Sequence, residues 1–357
     1  MPPTAEPLSE EIPAQIADSV TSDPLEQRRS GVPKRVLALF RGEGETGFAA
    51  RYALIGVWVA LAVLLSALVG GAFLSSGTLT TILGTQQPLV FLGMALVITL
   101  AIGEFDLSIA SMLGLSATIV PVLVTSHGWA PLPASLVAIG SAMAAGAVNA
   151  LVIVVVGIDA IVVTLGMATL LLGLASKISD GTAVGGLSSS FASISNTQVL
   201  GLPITFFYGV ALVLAVAYVM RFTPLGRHMR FVGANREVSR LAGVRVRRIR
   251  IGAYIASGLI CGVGGVLLTA GIGGFDSTTS STYLLPALSA TFLGTAAIQP
   301  GRFNPIGTFI GIYFLATGIV GLELLGASGW ISDVFYGAAL ILAVVVATIT
   351  RRRTLTV

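Results

Sequence analysis

The sequence predicts an all-α, polytopic membrane protein of about ten transmembrane helices. Apolar runs long enough to cross a bilayer recur from Tyr52 to Thr350. Of the 357 residues, 55% are hydrophobic and only 10% are charged, against roughly 25% charged in a soluble domain. The basic residues gather in loops and tails that fall on one side of the predicted spans. Ten-residue segments of alternating polarity, the mark of a closed barrel, do not occur.

Residues 1–50 read as a disordered cytoplasmic tail, with repeated prolines, many acids and few aromatics. Within the tail, Val36, Leu37, Leu39 and Phe40 beside Lys34, Arg35 and Arg41 suit a stretch lying on a membrane surface. Residues 51–350 form the membrane domain. Its spans are expected near 52–73, 82–102, 107–125, 132–156, 160–177, 203–220, 251–271, 283–299, 305–325 and 330–350. Residues 351–357 form a basic cytoplasmic tail. With this count, nineteen of the twenty Lys and Arg residues lie on one side and only Lys177 on the other. An even number of spans with both termini cytoplasmic follows.

Small residues recur at four-residue spacing: Gly258, Gly262 and Val266, Gly307 and Gly311, Gly140 and Ala144. Such spacing lets helices approach closely where greasy contact alone gives no net attraction.

The long polar segment 221–250 separates two apolar halves and carries nine arginines against one acid, Glu237. It contains the marks of a short helix. Asn235 is suited to cap its start and Gly243 to close its end. Val238, Leu241 and Ala242 fall at i, i+3, i+4 and share one face, with Arg236 and Arg240 beside it. The pattern suits a docking helix that offers an apolar patch with a basic rim. It equally suits a loop held inside the cell by its charge.

Two interruptions break the apolar runs. The first, 103–108, places Glu104, Asp106 and Ser108 together. Carboxylates there must face water, protein or a partner rather than hydrocarbon. Either Asp106 and Ser108 cap the next helix, or the break lines a translocation path together with Asn149 and Thr164. The second, 299–307, echoes it: Gly103, Phe105 and Asp106 correspond to Gly301, Phe303 and Asn304. The Ser- and Gly-rich loop 178–202 suits a docking surface for an extracytoplasmic partner, or a linker.

No nucleotide-binding loop, G-x-S-x-G or H-E-x-x-H occurs, so the chain is not expected to be an enzyme or to bind ATP itself. The single Cys261 and the isolated His127 and His228 give no metal-ligand spacing. The net charge of +4 does not point to nucleic acid, because the basic residues sit in loops and tails.

Four segments together resemble the permease subunits of bacterial ABC importers for ribose, xylose, arabinose, galactose and related monosaccharides. They are GEFDLSIASMLGLSA, AGAVNALVIVVVGIDAIVVTLGMATLLLGLA, the run from Gly226 to Ala270, and FLGTAAIQPGRFNPIGTFIG. The resemblance covers roughly residues 52–350 and is most specific from Gly226 to Gly243. It implies a ten-span fold like the cobalamin-type (type II) importers, with the chain in the cytoplasmic (inner) membrane among its lipids. It implies separate ATPase subunits that bind ATP and Mg, an extracytoplasmic solute-binding protein and a second permease copy. The ATPase-coupling residues it implies are Gly233, Asn235, Arg236, Glu237, Val238, Arg240, Leu241, Ala242 and Gly243. Asp106, Ser108, Asn149, Thr164, Asn235 and Gly243 match the family pattern. Glu104 stands where that family often has Gly, Asp159-Ala160 where it often has two prolines, Val238-Ser239 where it has paired alanines, and Phe303 where Gly is expected. On this basis Asp106→Ala is expected to impair transport more than Glu104→Ala. Three other readings stand beside it: an ion-coupled transporter using Glu104 and Asp106, an ABC permease for nucleosides or a signalling sugar, and a channel-like protein.

The topology is directly testable. A cysteine placed at Ser190 is expected to label with an impermeant maleimide from outside the cell. Labelling from the cytoplasmic side alone would overturn the ten-span arrangement.

Overall fold

The computed structural model describes residues 46–354 of the chain, and the side chains of residues 51–345. The surface stretch expected at 36–41 and the tail beyond 354 lie outside these residues. Fourteen α-helices are described. They are α1 (Thr46–Val69), α2 (Ser76–Gly84), α3 (Gln87–Ala101), α4 (Ile109–Pro121), α5 (Pro131–Ala150), α6 (Ala160–Ile178), α7 (Ser189–Asn196), α8 (Ile204–Phe222), α9 (Pro224–Ala234), α10 (Arg236–Leu241), α11 (Val246–Ile272), α12 (Leu284–Leu293), α13 (Pro305–Leu324) and α14 (Trp330–Thr354). Wider π-helical turns extend α4 and α5, over Val122–Ser126 and Leu151–Val156.

Among the described residues eight helices are long and apolar enough to cross a membrane. α14 adds a shorter apolar stretch, Trp330–Val345, and runs on past 350 to Thr354. The expected span 283–299 is not one continuous helix. That region holds a 3-10 segment, the ten-residue α12, and a second 3-10 turn at Gly294–Ala296. A helix this short is tolerated because protein covers it: Ala287, Ser289, Ala290 and Thr291 are buried, so its ends need no hydrogen bonds from lipid.

α11 is the hub, packed against α5, α4 and α3. Its small residues make the contacts possible. A Cβ on Gly258 would strike the carbonyl of Ala142, one on Gly262 the backbone of Ile139, and one on Gly265 the carbonyl of Leu113. Gly307 and Gly311 of α13 likewise sit on the backbone of Gly294 and Ala290. Gly140 and Ala144 do not meet α11: Gly140 faces open space and Ala144 is exposed within the chain. The face of α5 that meets α11 carries Ala142 and Gly146 instead, two positions further along. Periodicity marks a close-packing stripe without saying which of two adjacent stripes faces the protein.

Contacts sort the loops to two ends of the bundle. Ile298 donates from its backbone N–H to the carbonyl of Arg51, and Gly103 lies against Gly233. The start of the first span, both breaks and the 221–250 segment therefore share one end, with their arginines. At the other end Gly84 meets Pro203, and Thr80 reaches the carbonyl of Gly201.

The 178–202 segment at that second end is folded rather than an open linker. β1 (Val184–Gly185) pairs antiparallel with β4 (Gly274–Phe275). α7 buries Phe191 and bonds to α11, where Ser195 donates to the carbonyl of Leu267 at 2.8 Å and Asn196 to that of Gly271 at 3.0 Å. β2 (Gln198–Val199) and β3 (Leu202–Pro203) close a hairpin. Its turn, Leu200–Gly201, has positive φ at both residues, and Leu200 is 91% exposed.

Gly146→Val is therefore expected to destabilise the bundle by roughly 1–3 kcal/mol, the usual range for overpacking, because its Cβ would meet the carbonyl of Tyr254. Gly140→Val is expected to be neutral. Thermal unfolding in detergent distinguishes the two.

Candidate functional site

The 221–250 segment forms two helices. α9 begins at Pro224, whose fixed φ suits a first helical residue, and Thr223 accepts from the amide of Gly226 at 3.3 Å. Met229 and Val232 of α9 are buried with Ile102 and Ala253. They form an apolar seat between this segment and the membrane helices. α9 had no counterpart in the sequence expectation, because its polar residues mask a face of only two long apolar side chains. At its end Gly233 lies so close to the first break that a Cβ would strike the carbonyl of Ala101.

α10 has the ends expected of it. The Asn235 side chain accepts from the amide of Val238 at 3.0 Å, and Gly243 is left-handed, with φ +80°. Ser239 is buried and donates to the carbonyl of Asn235. The opposite face carries Val238, 60% exposed, and Leu241, 83% exposed, with Ala242 also exposed. Glu237 and Arg240 pair with each other at 2.8 Å, both well exposed, a geometry that adds little stability.

Arg236 departs from the expected rim position. Its guanidinium turns toward the first break, pairing with Glu104 Oε1 at 3.0 Å and donating to the carbonyl of Gly103 at 3.2 Å. Glu104 is buried, its side chain 1% exposed. Arg250 Nε donates to the same Oε1, and the Tyr254 hydroxyl donates to Oε2 at 2.6 Å. The carboxylate therefore faces two guanidiniums and a phenol, not an open path. Removing one member of such a buried pair costs roughly 3–5 kcal/mol.

Asp106 is fully buried in the same break. Oδ1 accepts from the amide of Ser108 at 3.1 Å and from its hydroxyl at 2.6 Å, and Oδ2 accepts from the Ser257 hydroxyl at 3.0 Å. Ser108 spends its proton on Asp106, so Asn149 must be the donor in its 2.9 Å bond to Ser108 Oγ. Asn149 Oδ1 has no hydrogen-bond partner among the described residues. Thus Asp106, Ser108 and Asn149 come together, as expected of a break that joins α3 to α4 beside α5. Thr164 does not join them through its hydroxyl, which bonds the carbonyl of Ala160 in its own helix at 2.7 Å.

Sequence reasoning missed Arg250, Tyr254 and Ser257, which supply α11's side of both carboxylates. Their spacing of i, i+4, i+7 puts them on one helical face, and a polar stripe in an apolar helix was the available signal. Both carboxylates of the break are buried and bonded, Glu104 to Arg236, Arg250 and Tyr254 and Asp106 to Ser108 and Ser257. Glu104 is not arranged as a cation ligand: two guanidiniums already occupy it. No cluster of His, Cys, Asp and Glu suited to a metal ion occurs among the described residues.

The second break repeats the first in geometry. Gly103 and Gly301 have φ of +76° and +78°. Asn304 Oδ1 accepts from the amide of Gly307, as Asp106 does from Ser108. Phe105 and Phe303 both pack on Phe292, at 6.2 and 5.3 Å between ring centroids.

The role of Asp106 is testable by a pair of variants. Asp106→Ala strands the Ser108 and Ser257 hydroxyls and is expected to lower stability by roughly 1–3 kcal/mol. Asp106→Asn keeps the acceptor for Ser108 and is expected to unfold close to wild type. Transport lost by a stable Asp106→Asn protein would mean that the charge itself is used.

Comparison with known proteins places this architecture. The family model described as "Branched-chain amino acid transport system / permease component" matches residues 78–344. The autoinducer 2 import system permease protein LsrC of Enterobacter sp. (strain 638) is 31% identical over 303 residues, covering 85% of this chain and 86% of that protein. The L-arabinose transport system permease protein AraH of Escherichia coli (strain K12) is 32% identical over 248 residues, 69% and 75% of the two chains. The ribose import permease protein RbsC of Bacillus subtilis (strain 168) is 28% identical over 258 residues, 72% and 79%. With two-thirds or more of both chains aligned in each case, and the family model running from α2 into α14, this multi-pass membrane protein belongs to that family of transport-system permease components.

Proposed function

We propose that the chain is the membrane permease of an ATP-driven importer for a sugar or a similar small polar solute, and that α10 is where a separate ATPase subunit docks. The observation that carries this reading is the exposed apolar face of Val238, Leu241 and Ala242, on a short helix capped by Asn235 and tied to the first break by Arg236. An apolar patch on a polar segment marks a partner surface. ATP and Mg belong to that partner, since this chain has no phosphate-binding loop.

The arginine-rich end is then cytoplasmic and the folded 178–202 segment extracytoplasmic, in a bacterial inner membrane, with both termini inside. The exposed Leu200 at its hairpin tip suits contact with a solute-binding protein. A second permease copy completes the path, and transport proceeds by alternating access, with α10 carrying the ATPase's motion. The relatives named for ribose, L-arabinose and autoinducer 2 support a sugar-like solute, whereas the family description names branched-chain amino acids.

Two measurements test this. Burying one Leu is worth roughly 1.5–3 kcal/mol, and a carboxylate in a dry seam adds a desolvation cost. Leu241→Asp is therefore expected to lose co-purifying ATPase while still inserting in the membrane. Retention of the ATPase at moderate salt would refute the docking role. Vesicles holding the full complex, with ATP and no ion gradient, are expected to accumulate labelled ribose or L-arabinose rather than leucine. Uptake driven by a proton or sodium gradient without ATP would favour ion coupling instead.

A further inference from the structure

We infer that Glu104 is a positioning residue that latches the docking helix to the first membrane break, so that movement of α10 is passed to the segment between α3 and α4. The inference rests on the reading of α10 as the ATPase dock.

The arms of the Glu104 cluster are unequal. Arg250 and Tyr254 come from α11, and the Arg250 side chain is 15% exposed. They form a standing pair with Glu104 that is complete in charge. Arg236 comes from the first turn of α10, and its side chain is 45% exposed. It adds a second positive charge to a carboxylate already neutralised, so it can leave without stranding a buried ion. Removing Glu104 would instead leave Arg250 short of its partner. The contact between α10 and the break is thus the separable one, and the contact between α11 and the break is the fixed one.

The same guanidinium holds two neighbouring points of the break, Glu104 Oε1 and the carbonyl of Gly103. One turn before α10, Gly233 rests on the carbonyl of Ala101 with no side chain between them. A displacement of α10 therefore reaches residues 101–104 with little slack. Two residues on, Asp106 ties the break to α11 through Ser257 and to α5 through Ser108 and Asn149. Phe105 lies between these points, partly exposed and stacked on Phe292 of α12. The break is placed to receive motion from one side and pass it to three helices on the other.

The test uses the full complex in vesicles, and needs no knowledge of the solute. Cys261 is buried, so Phe105→Cys supplies one reactive thiol at the break, read by maleimide labelling with and without ATP. The parent is expected to show an ATP-dependent change in labelling rate of roughly fivefold or more, the low end of site-to-site coupling. Adding Arg236→Gln is expected to bring that ratio close to one while the ATPase still co-purifies and hydrolyses ATP. Arg236→Lys, which keeps the charge, is expected to restore part of it. Combining Arg236→Gln with Glu104→Gln is expected to lower the ratio no further than Arg236→Gln alone, because the two act through each other. A parent without an ATP response, or an Arg236→Gln protein that keeps the full response, would overturn the latch. Loss of the ATPase itself from Arg236→Gln would also overturn it, assigning Arg236 to the dock. Failure of the dock reading shows separately, as an ATPase that stays bound to Leu241→Asp.

Discussion

A carboxylate taken out of water must find positive charge and hydrogen-bond donors or take up a proton. Glu104 finds three partners, and the arginine-rich end of the fold is arranged around that need. Arg250 and Tyr254 lie one turn apart on α11, so one helical face serves both oxygens. Arg236 arrives from a segment more than a hundred residues along the chain and brings α10 with it. The apolar contacts beneath, Met229 and Val232 on Ile102 and Ala253, hold the same corner without direction. The ion pairs supply the direction.

The membrane imposes the second constraint. Backbone groups at a helix break cannot be left to lipid, so both breaks are closed by local bonds. A left-handed glycine turns the chain at Gly103 and at Gly301. A short polar side chain, Asp106 or Asn304, then accepts from the amide two or three residues on. Phe105 stacks on Phe292 and Phe303 meets it edge-on, so the two turns share one aromatic joint. Asn304 differs from Asp106 in that its amide donates to the carbonyls of Gly294, Ala297 and Arg302. A neutral residue suffices where the surrounding groups are carbonyls, whereas Asp106 is met by hydroxyls and an amide that donate. The two breaks are alike in backbone and in the amide that each side chain accepts from, and they differ in that Asn304 also donates.

Much of this was legible from local patterns. Apolar run length marks the spans, because bilayer thickness sets it. Asn235 and Gly243 bound α10, because capping depends on side chains within a few residues of the helix end. The glycine spacing of α11 and α13 marks close approach. Where several local solutions compete, the patterns fall short. The span expected at 283–299 is apolar enough to cross a membrane, yet Ser and Thr hydroxyls before it and Gly294 after it allow a shorter helix once protein covers the ends. The Gly140–Ala144 stripe is as good in sequence as Ala142–Gly146, and only the neighbour chooses between them.

The sequence by itself determined the class of protein, most of the apolar spans, and the polar 221–250 segment with the cap residues of α10, since each depends on hydropathy, charge or hydrogen bonds between near neighbours. Only the tertiary structure decided what the charges do. Arg236 looks much the same in sequence as Arg240: both sit on α10, each two residues from Val238. One folds back to a buried carboxylate and the other stays in solvent with Glu237. The difference lies in where α3 ends, and no pattern within the 221–250 segment contains that information. Coulomb attraction in a dry site is strong but depends on separation in space, and Glu104 and Arg236, 132 positions apart in the chain, are brought together by the packing of α9 against the break.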